Sequence, residues 1–209
     1  AGISACFLFN EGGGPFVDLV SRNKISVQGS GVRGKFNFGM GLDCRGANSG
    51  ASGNAWSRLT TLAPKAIVWR GQIHTSPTAF GSLGGVIYDN GLISPFSSYF
   101  IGIRADSAGY FISWNSGGFS NVTDTANSVA FNGTERQVVG NISANSAGTN
   151  TGVVEIWENK VRLAVQSLQG VDLTYGTAPQ LEIGTDPFAL GRDAKSVCRH
   201  FYLFNKFLK

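Results

Sequence analysis

A chain of 209 residues that is 42% hydrophobic, with 15 Phe and 4 Trp, holds enough apolar surface for a substantial core, so folding needs neither disulfide staples nor a metal. The 29 Gly and only 14% charged residues point to many short strands joined by turns, and without a collagen-like repeat they exclude fibrous and disordered classes. The formal charge of +4 is scattered apart from a late group (Arg192, Lys195, Arg199, Lys206, Lys209), so nucleic acid is not an expected partner. No apolar run nears the ~20 residues of a membrane-spanning helix, so no membrane partner is expected.

The opening Ala1-Gly2-Ile3-Ser4-Ala5 runs directly into an apolar stretch, as expected either of a chain that has lost its initiator methionine or of a trimmed mature domain. From there, apolar alternation rather than a 3.6-residue period predicts ten strands, at residues 4–10, 35–42, 66–74, 98–105, 110–115, 136–144, 152–158, 161–166, 181–184 and 199–205. Glu158-Asn159-Lys160 and Ser107-Ala108-Gly109 have hairpin-turn chemistry, and residues 44–54, 75–85 and 145–152 are dense in turn formers and expected as surface loops. With no internal repeat and no linker, one domain over residues 1–209 is expected, with ten strands in two antiparallel sheets.

The run Phe7-Leu8-Phe9-Asn10-Glu11-Gly12-Gly13-Gly14, followed by Asp18-Leu19-Val20, resembles the opening of laminin-G-like jelly-roll domains of the concanavalin A-like superfamily. The stretch from Gly34 to Asp43, the strand Ala66-Ile67-Val68-Trp69, and the closing Ala189-Leu190-Gly191-Arg192 with Arg199 to Leu208 resemble that family's later motifs in order and spacing. The resemblance implies an all-β, two-sheet antiparallel jelly-roll sandwich, and it bears on fold more than on function. Where the family's closing strand carries an acidic residue, this chain has Arg199 and His200. Calcium-binding relatives supply rim oxygens, for which Asp43, Asp89, Asn90, Asp106 and Asp193 are candidates; without Asp-x-Asp spacing they read as turn formers, and no cofactor is expected.

Chemistry is sparse. Cys6, Cys44 and Cys198 are odd in number and lack CxxC spacing, which argues against zinc or a disulfide framework; paired terminal strands could bring Cys6 and Cys198 together, but buried thiols are expected. Along residues 66–74, Ile67, Trp69 and Ile73 fall on one face and Val68, Arg70, Gln72 and His74 on the other. Gln72-Ile73-His74 resembles a motif of alginate-lyase-like polysaccharide lyases, but the Arg and Glu that those enzymes carry upstream have no equivalent here, and Tyr202 is the nearest late tyrosine. Glu155 and Glu158 lie on opposite faces of a strand, so paired-carboxylate hydrolysis is disfavoured, and an enzyme is not expected.

Sugar rings stack on aromatics, and Trp114, Trp157 and the loop residue Trp56 join Arg70, Gln72 and His74 as candidate ligand-binding residues, although Trp69, Trp114 and Trp157 also suit core packing. The triplets beginning at Asn121, Asn132 and Asn141 fit the glycosylation pattern, as chance allows in so Asn- and Ser-rich a chain. The expectation is a binding or surface-coating module. The stand-alone members of the resembled family suggest a virion (phage) decoration or adhesion protein, located on the virion surface, with a capsid or tail protein or a surface glycan as partner and a homo-oligomer compatible with that role. Alternatives are a secreted, extracellular lectin or a carbohydrate-active enzyme centred on Arg70, Gln72 and His74.

Overall fold

The computed structural model describes residues 2–28, 32–37, 39–47, 49–53, 65–75, 85–89, 99–103, 109–116, 119–125, 131–143, 152–168, 181–184 and 194–209, and among these it contains strands and no helix. Two eight-stranded antiparallel sheets form a jelly-roll-type sandwich. The first sheet runs β14 (Val161–Leu168), β13 (Gly152–Glu158), β12 (Glu135–Ile142), β7 (Lys65–Ile73), β16 (Ser196–Phe204), β5 (Gly39–Asp43) and β4 (Val32–Phe36), and β1 (Ile3–Phe7) pairs with the second half of β16. The second runs β11 (Phe119–Asp124), β10 (Tyr110–Ser116), β9 (Tyr99–Ile103), β8 (Gly85–Asp89), β15 (Leu181–Ile183), β6 (Gly50–Gly53), β3 (Lys24–Gln28) and β2 (Phe16–Val17).

Period-two alternation sends one face of each sheet inward to a shared core. Trp69 of β7, Phe7 of β1, Phe201 and Leu203 of β16 and Val138 of β12 meet Ile101, Ile103, Tyr110 and Ile112 from the opposite sheet. Phe9, beyond the end of β1, stacks on Phe7 with ring centroids 5.8 Å apart and takes Phe16 edge-on at 4.8 Å. The inner face also carries the ion pair Arg136 Nη1–Glu158 Oε1 at 2.6 Å. The Tyr110 phenol reaches this pair from the second sheet, and burial together with Glu158 pushes it above its usual pKa range, so it stays protonated.

Asp18 explains why an acidic residue follows the first strand. Its carboxylate is fully buried and accepts hydrogen bonds from the backbone N–H of Cys6 (2.6 Å), Val20 (3.1 Å) and Ser21 (2.8 Å) and from the Ser21 hydroxyl, tying the turn after β2 to β1.

Three expectations change. The strand expected over residues 35–42 is a hairpin, β4 and β5, turned by Gly39 at φ +107°, where L side chains are strained. Part of the expected loop at 44–54 is β6, because Gly-Ala-Ser-Gly needs only its backbone to pair with β3 and β15. The short strands β2, β3, β8 and β11 lie outside the ten expected strands, although β3 (Lys-Ile-Ser-Val-Gln) alternates polar with apolar residues and sends Ile25 into the core. Cys44 and Cys198 are buried free thiols, as expected, and Cys6 is a half-buried one that pairs in register with Tyr202, four residues past Cys198. The hairpin at Asn159-Lys160 is as expected, with both residues at positive φ as a type I′ turn requires.

Gly71 is where β7, β16 and the core meet most closely: a Cβ there would stand 2.1 Å from the Val197 carbonyl oxygen and 2.6 Å from the Trp69 ring. Gly71→Ala is expected to destabilise the fold by about 3 kcal/mol, read as a lower urea midpoint at unchanged slope.

Candidate functional site

The outer face of the first sheet follows from its register. Opposite partners give a row Arg162, Trp157, Val139, Val68, Tyr202, and beside it a row Gln137, Arg70, His200. On the other side of the Trp157 row stand Glu155, Asn141, Ala66 and Phe204. Apolar and aromatic groups thus form a strip flanked by amides and charges.

Trp157 lies half-buried on this face, not in the core. Its Nε1–H donates to Glu155 Oε2 at 2.9 Å, and Arg162, paired with Glu155 Oε1 at 3.2 Å, stands 5.8 Å from the indole ring. The ring is thereby locked in orientation before any ligand arrives. Beside it, Val68, Gln137, Val139, Asn141, Lys160 and Leu208 line an open depression of about 290 Å³.

The sequence candidates divide. Arg70 joins a charge cluster in which its Nε and Arg199 Nη1 approach the same Glu135 oxygen, at 2.6 and 3.0 Å. Gln72 shares the face but is committed to structure, its Nε2 donating to Asn37 Oδ1 at 2.9 Å. His74, just past β7, sits apart from this cluster against Gly133, near the Asp43–Arg45 pair. Trp56 lies outside the described residues, as do Asn90, Asp106 and Asp193; of Trp114 and Asp89 only the backbone is described, in β10 and β8. Asp43 is held by a two-pronged Arg45 contact (2.9 and 2.7 Å), which outweighs the effect of burial and keeps its carboxyl below the usual range. Among the described residues no cluster of three or more His, Cys, Asp or Glu suits a metal.

Sequence reasoning missed Glu135, Gln137, Asn141, Lys160 and Arg199. A β-bulge between Cys198 and His200 sets Arg199 and His200 on the same outer face, where simple alternation separates them. Lys160 had a signal: it occupies the second position of a type I′ turn, which favours Gly, at φ +73°. The conformation costs a lysine ~1 kcal/mol, and Lys160 lines two adjoining depressions.

No protein-family model and no curated protein matches the sequence. Solved structures do match the fold. A Trypanosoma rangeli sialidase aligns with a TM-score of 0.69 and 14% identity over 100% of this chain and 31% of its own. The binding domain of Paraclostridial Mosquitocidal Protein 1 gives 0.65 and 13% over 100% and 50%, and botulinum neurotoxin type C, which depends on two ganglioside molecules to enter cells, gives 0.63 and 16% over 100% and 49%. The chain spans about a third of the sialidases and half of the toxin chains. At these identities the likeness establishes an all-β sandwich. It also corrects the expectation that this is not an enzyme: sialidases are enzymes, and the fold makes up part of their chains. Lack of paired carboxylates bore on one hydrolytic chemistry only.

Burial, then Arg199 and Arg70, lower the His200 pKa from 6.5, and Glu135 opposes them. The unfolded chain therefore binds the proton more readily, so stability rises with pH from the folded pKa up to about 6.5 and then levels. In NMR titration His200 is expected below 6.5, lower still in Glu135→Gln and higher in Arg70→Ala.

Proposed function

We propose that the outer face of the first sheet binds carbohydrate, in a domain of the concanavalin A-like, laminin-G-like kind, with preference for a sugar that bears a carboxylate. The observation that carries this is Trp157: an indole fixed by Glu155 at the edge of a depression with an apolar floor (Val68, Val139) and an amide and ammonium rim (Gln137, Lys160). A pyranose ring presents an apolar face to such a floor and hydroxyls to such a rim. Arg70, Arg199 and Lys160 against Glu135 leave an excess of positive charge beside it, suited to a carboxylate. Similar folds occur in a sialidase crystallised with sialic acid and in the ganglioside-dependent neurotoxin, which agrees with this ligand class.

A second reading rests on His200 and Tyr202, whose rings meet edge to face at 6.1 Å within the field of Arg70 and Arg199. The guanidinium groups would neutralise a uronate carboxylate while one of the two rings, as base, removes the proton beside it and the other donates a proton to the leaving sugar oxygen as its bond to carbon breaks, forming a carbon–carbon double bond. Appearance of an unsaturated product from alginate or pectate tests it. The virion-surface location is a separate proposal that rests on the sequence resemblance, and recovery of the protein with capsid or tail proteins from native particles tests it.

A glycan array with sialylated, uronate-bearing and neutral sugars is expected to give salt-sensitive signals on the acidic ones. Trp157→Ala is expected to weaken the best of these about tenfold, roughly 1.4 kcal/mol; an array blank at every sugar would sink the proposal. Lys160→Gly is expected to stabilise the fold by about 1 kcal/mol in thermal melts while lowering affinity for acidic sugars.

A further inference from the structure

Asn141 is a polar side chain in the middle of a sheet, 1% exposed, between Glu155 on β13 and Ala66 on β7. Its carboxamide is satisfied at both ends by one residue: Nδ2 donates to the Leu208 carbonyl at 2.9 Å, and Oδ1 accepts from the Leu208 N–H at 3.3 Å. The second bond is longer than the usual range for N–H···O. The last backbone pairing at this end of the sequence is Asn205 N–H to the Gly2 carbonyl at 2.8 Å. Beyond it, among the described residues, Asn141 supplies the hydrogen bonds that hold the segment from Lys206 to Lys209 on the sheet.

That segment sits in the depression assigned above to sugar, since Leu208 and Lys209 line it together with Trp157, Val68 and Val139. Lifting Leu208 away would extend the apolar floor from Trp157 across Val139 and Val68 and bare a carboxamide at its far rim. An Asn side chain offers one donor and one acceptor side by side. The N–H and C=O of one extended residue match that pair, and so do two adjacent ring hydroxyls of a pyranose, one accepting and one donating.

We infer that Asn141 is a sugar-binding residue that recognises a vicinal diol, and that the Leu208 backbone is its intramolecular stand-in, displaced when glycan binds. The inference rests on the carbohydrate reading of the Trp157 face. Because the strap competes with ligand, apparent affinity is the intrinsic affinity reduced by the fraction of molecules in which the strap is lifted.

The two residues of the clamp then affect binding in opposite directions. With sialyllactose as the probe, Leu208→Gly loosens the strap and leaves the carboxamide, and is expected to raise affinity two- to fivefold. Asn141→Ala also releases the strap but removes the subsite, and is expected to lower affinity about fivefold. If Asn141 merely fastened the segment from Lys206 to Lys209, both variants would raise affinity or neither would change it, and either result overturns the inference. Hydrogen exchange on the unaltered protein gives a test that no folding defect can blur. At saturating sialyllactose the Leu208 amide is expected to lose protection at least severalfold; unchanged or increased protection overturns the inference. Sialyllactose binding that is lost in Trp157→Ala while Leu208 stays protected discards this inference and leaves the carbohydrate reading standing. Absence of sialyllactose binding to unaltered protein and to Leu208→Gly alike overturns this inference, and only an array blank at every sugar overturns the carbohydrate reading with it.

Discussion

β7 lies in the middle of the first sheet, and the way β16 is laid on it determines both faces. Trp69 is paired with Val138 on β12 and Phe201 on β16, all three turned into the core. One residue further, Arg70 is paired with Gln137 and His200, all turned outward. A slip of one residue would send a guanidinium inward and the indole to solvent, a change that a buried face forbids. Gly71 makes this register specific, since a side chain there would strike the Val197 carbonyl and the Trp69 ring. The bulge at Arg199 lets β16 keep the register on both sides of that contact while adding a second cation to the outer face.

The outer face gives up stability locally for chemistry. Two arginines, Arg70 and Arg199, share one oxygen of Glu135. Lys160 holds a backbone conformation better suited to glycine. Asn141 buries a carboxamide whose hydrogen bonds come from a thinly held segment. The inner face shows the contrast, with a core of closely packed aliphatic and aromatic groups and an Arg136–Glu158 pair that takes the Tyr110 phenol into its field. The contrast is one of packing and not of polar satisfaction, since the Tyr110 hydroxyl, Arg136 Nε and Glu158 Oε2 are buried on the inner face without hydrogen-bond partners.

Much of the architecture was legible because strands of five or more residues with an apolar alternate face announce themselves. β7, β13 and β16 were readable in that way, as was the division of residues 66–74 into an inner and an outer set. The glycine-rich strands were not, because β6 pairs through its backbone and its Gly-Ala-Ser-Gly sequence has no side-chain pattern to read. At the candidate site, Arg70 and Trp157 were legible from strand position and residue type. Glu135 and Arg199 were not, since their meeting depends on β12 and β16 flanking β7 and on a bulge that alternation cannot foresee. Asn141 lay hidden in a glycosylation-like triplet; its burial beneath Leu208 excludes that modification in the folded state and redirects attention to its carboxamide.

The geometry also bears on how strongly such a face can bind. One half-buried indole, a short apolar floor and a few amides must offset the lost translational and rotational freedom of a ligand, on the order of 4–15 kcal/mol, and part of that surface is already occupied by Leu208. On the carbohydrate reading proposed above, the net affinity of one site for one sugar would therefore be small and exchange fast. On the same reading such a surface would gain by repetition, several copies meeting several sugars so that each further contact is made at high effective concentration. Weak single sites and strong collective attachment both follow from an open sheet face.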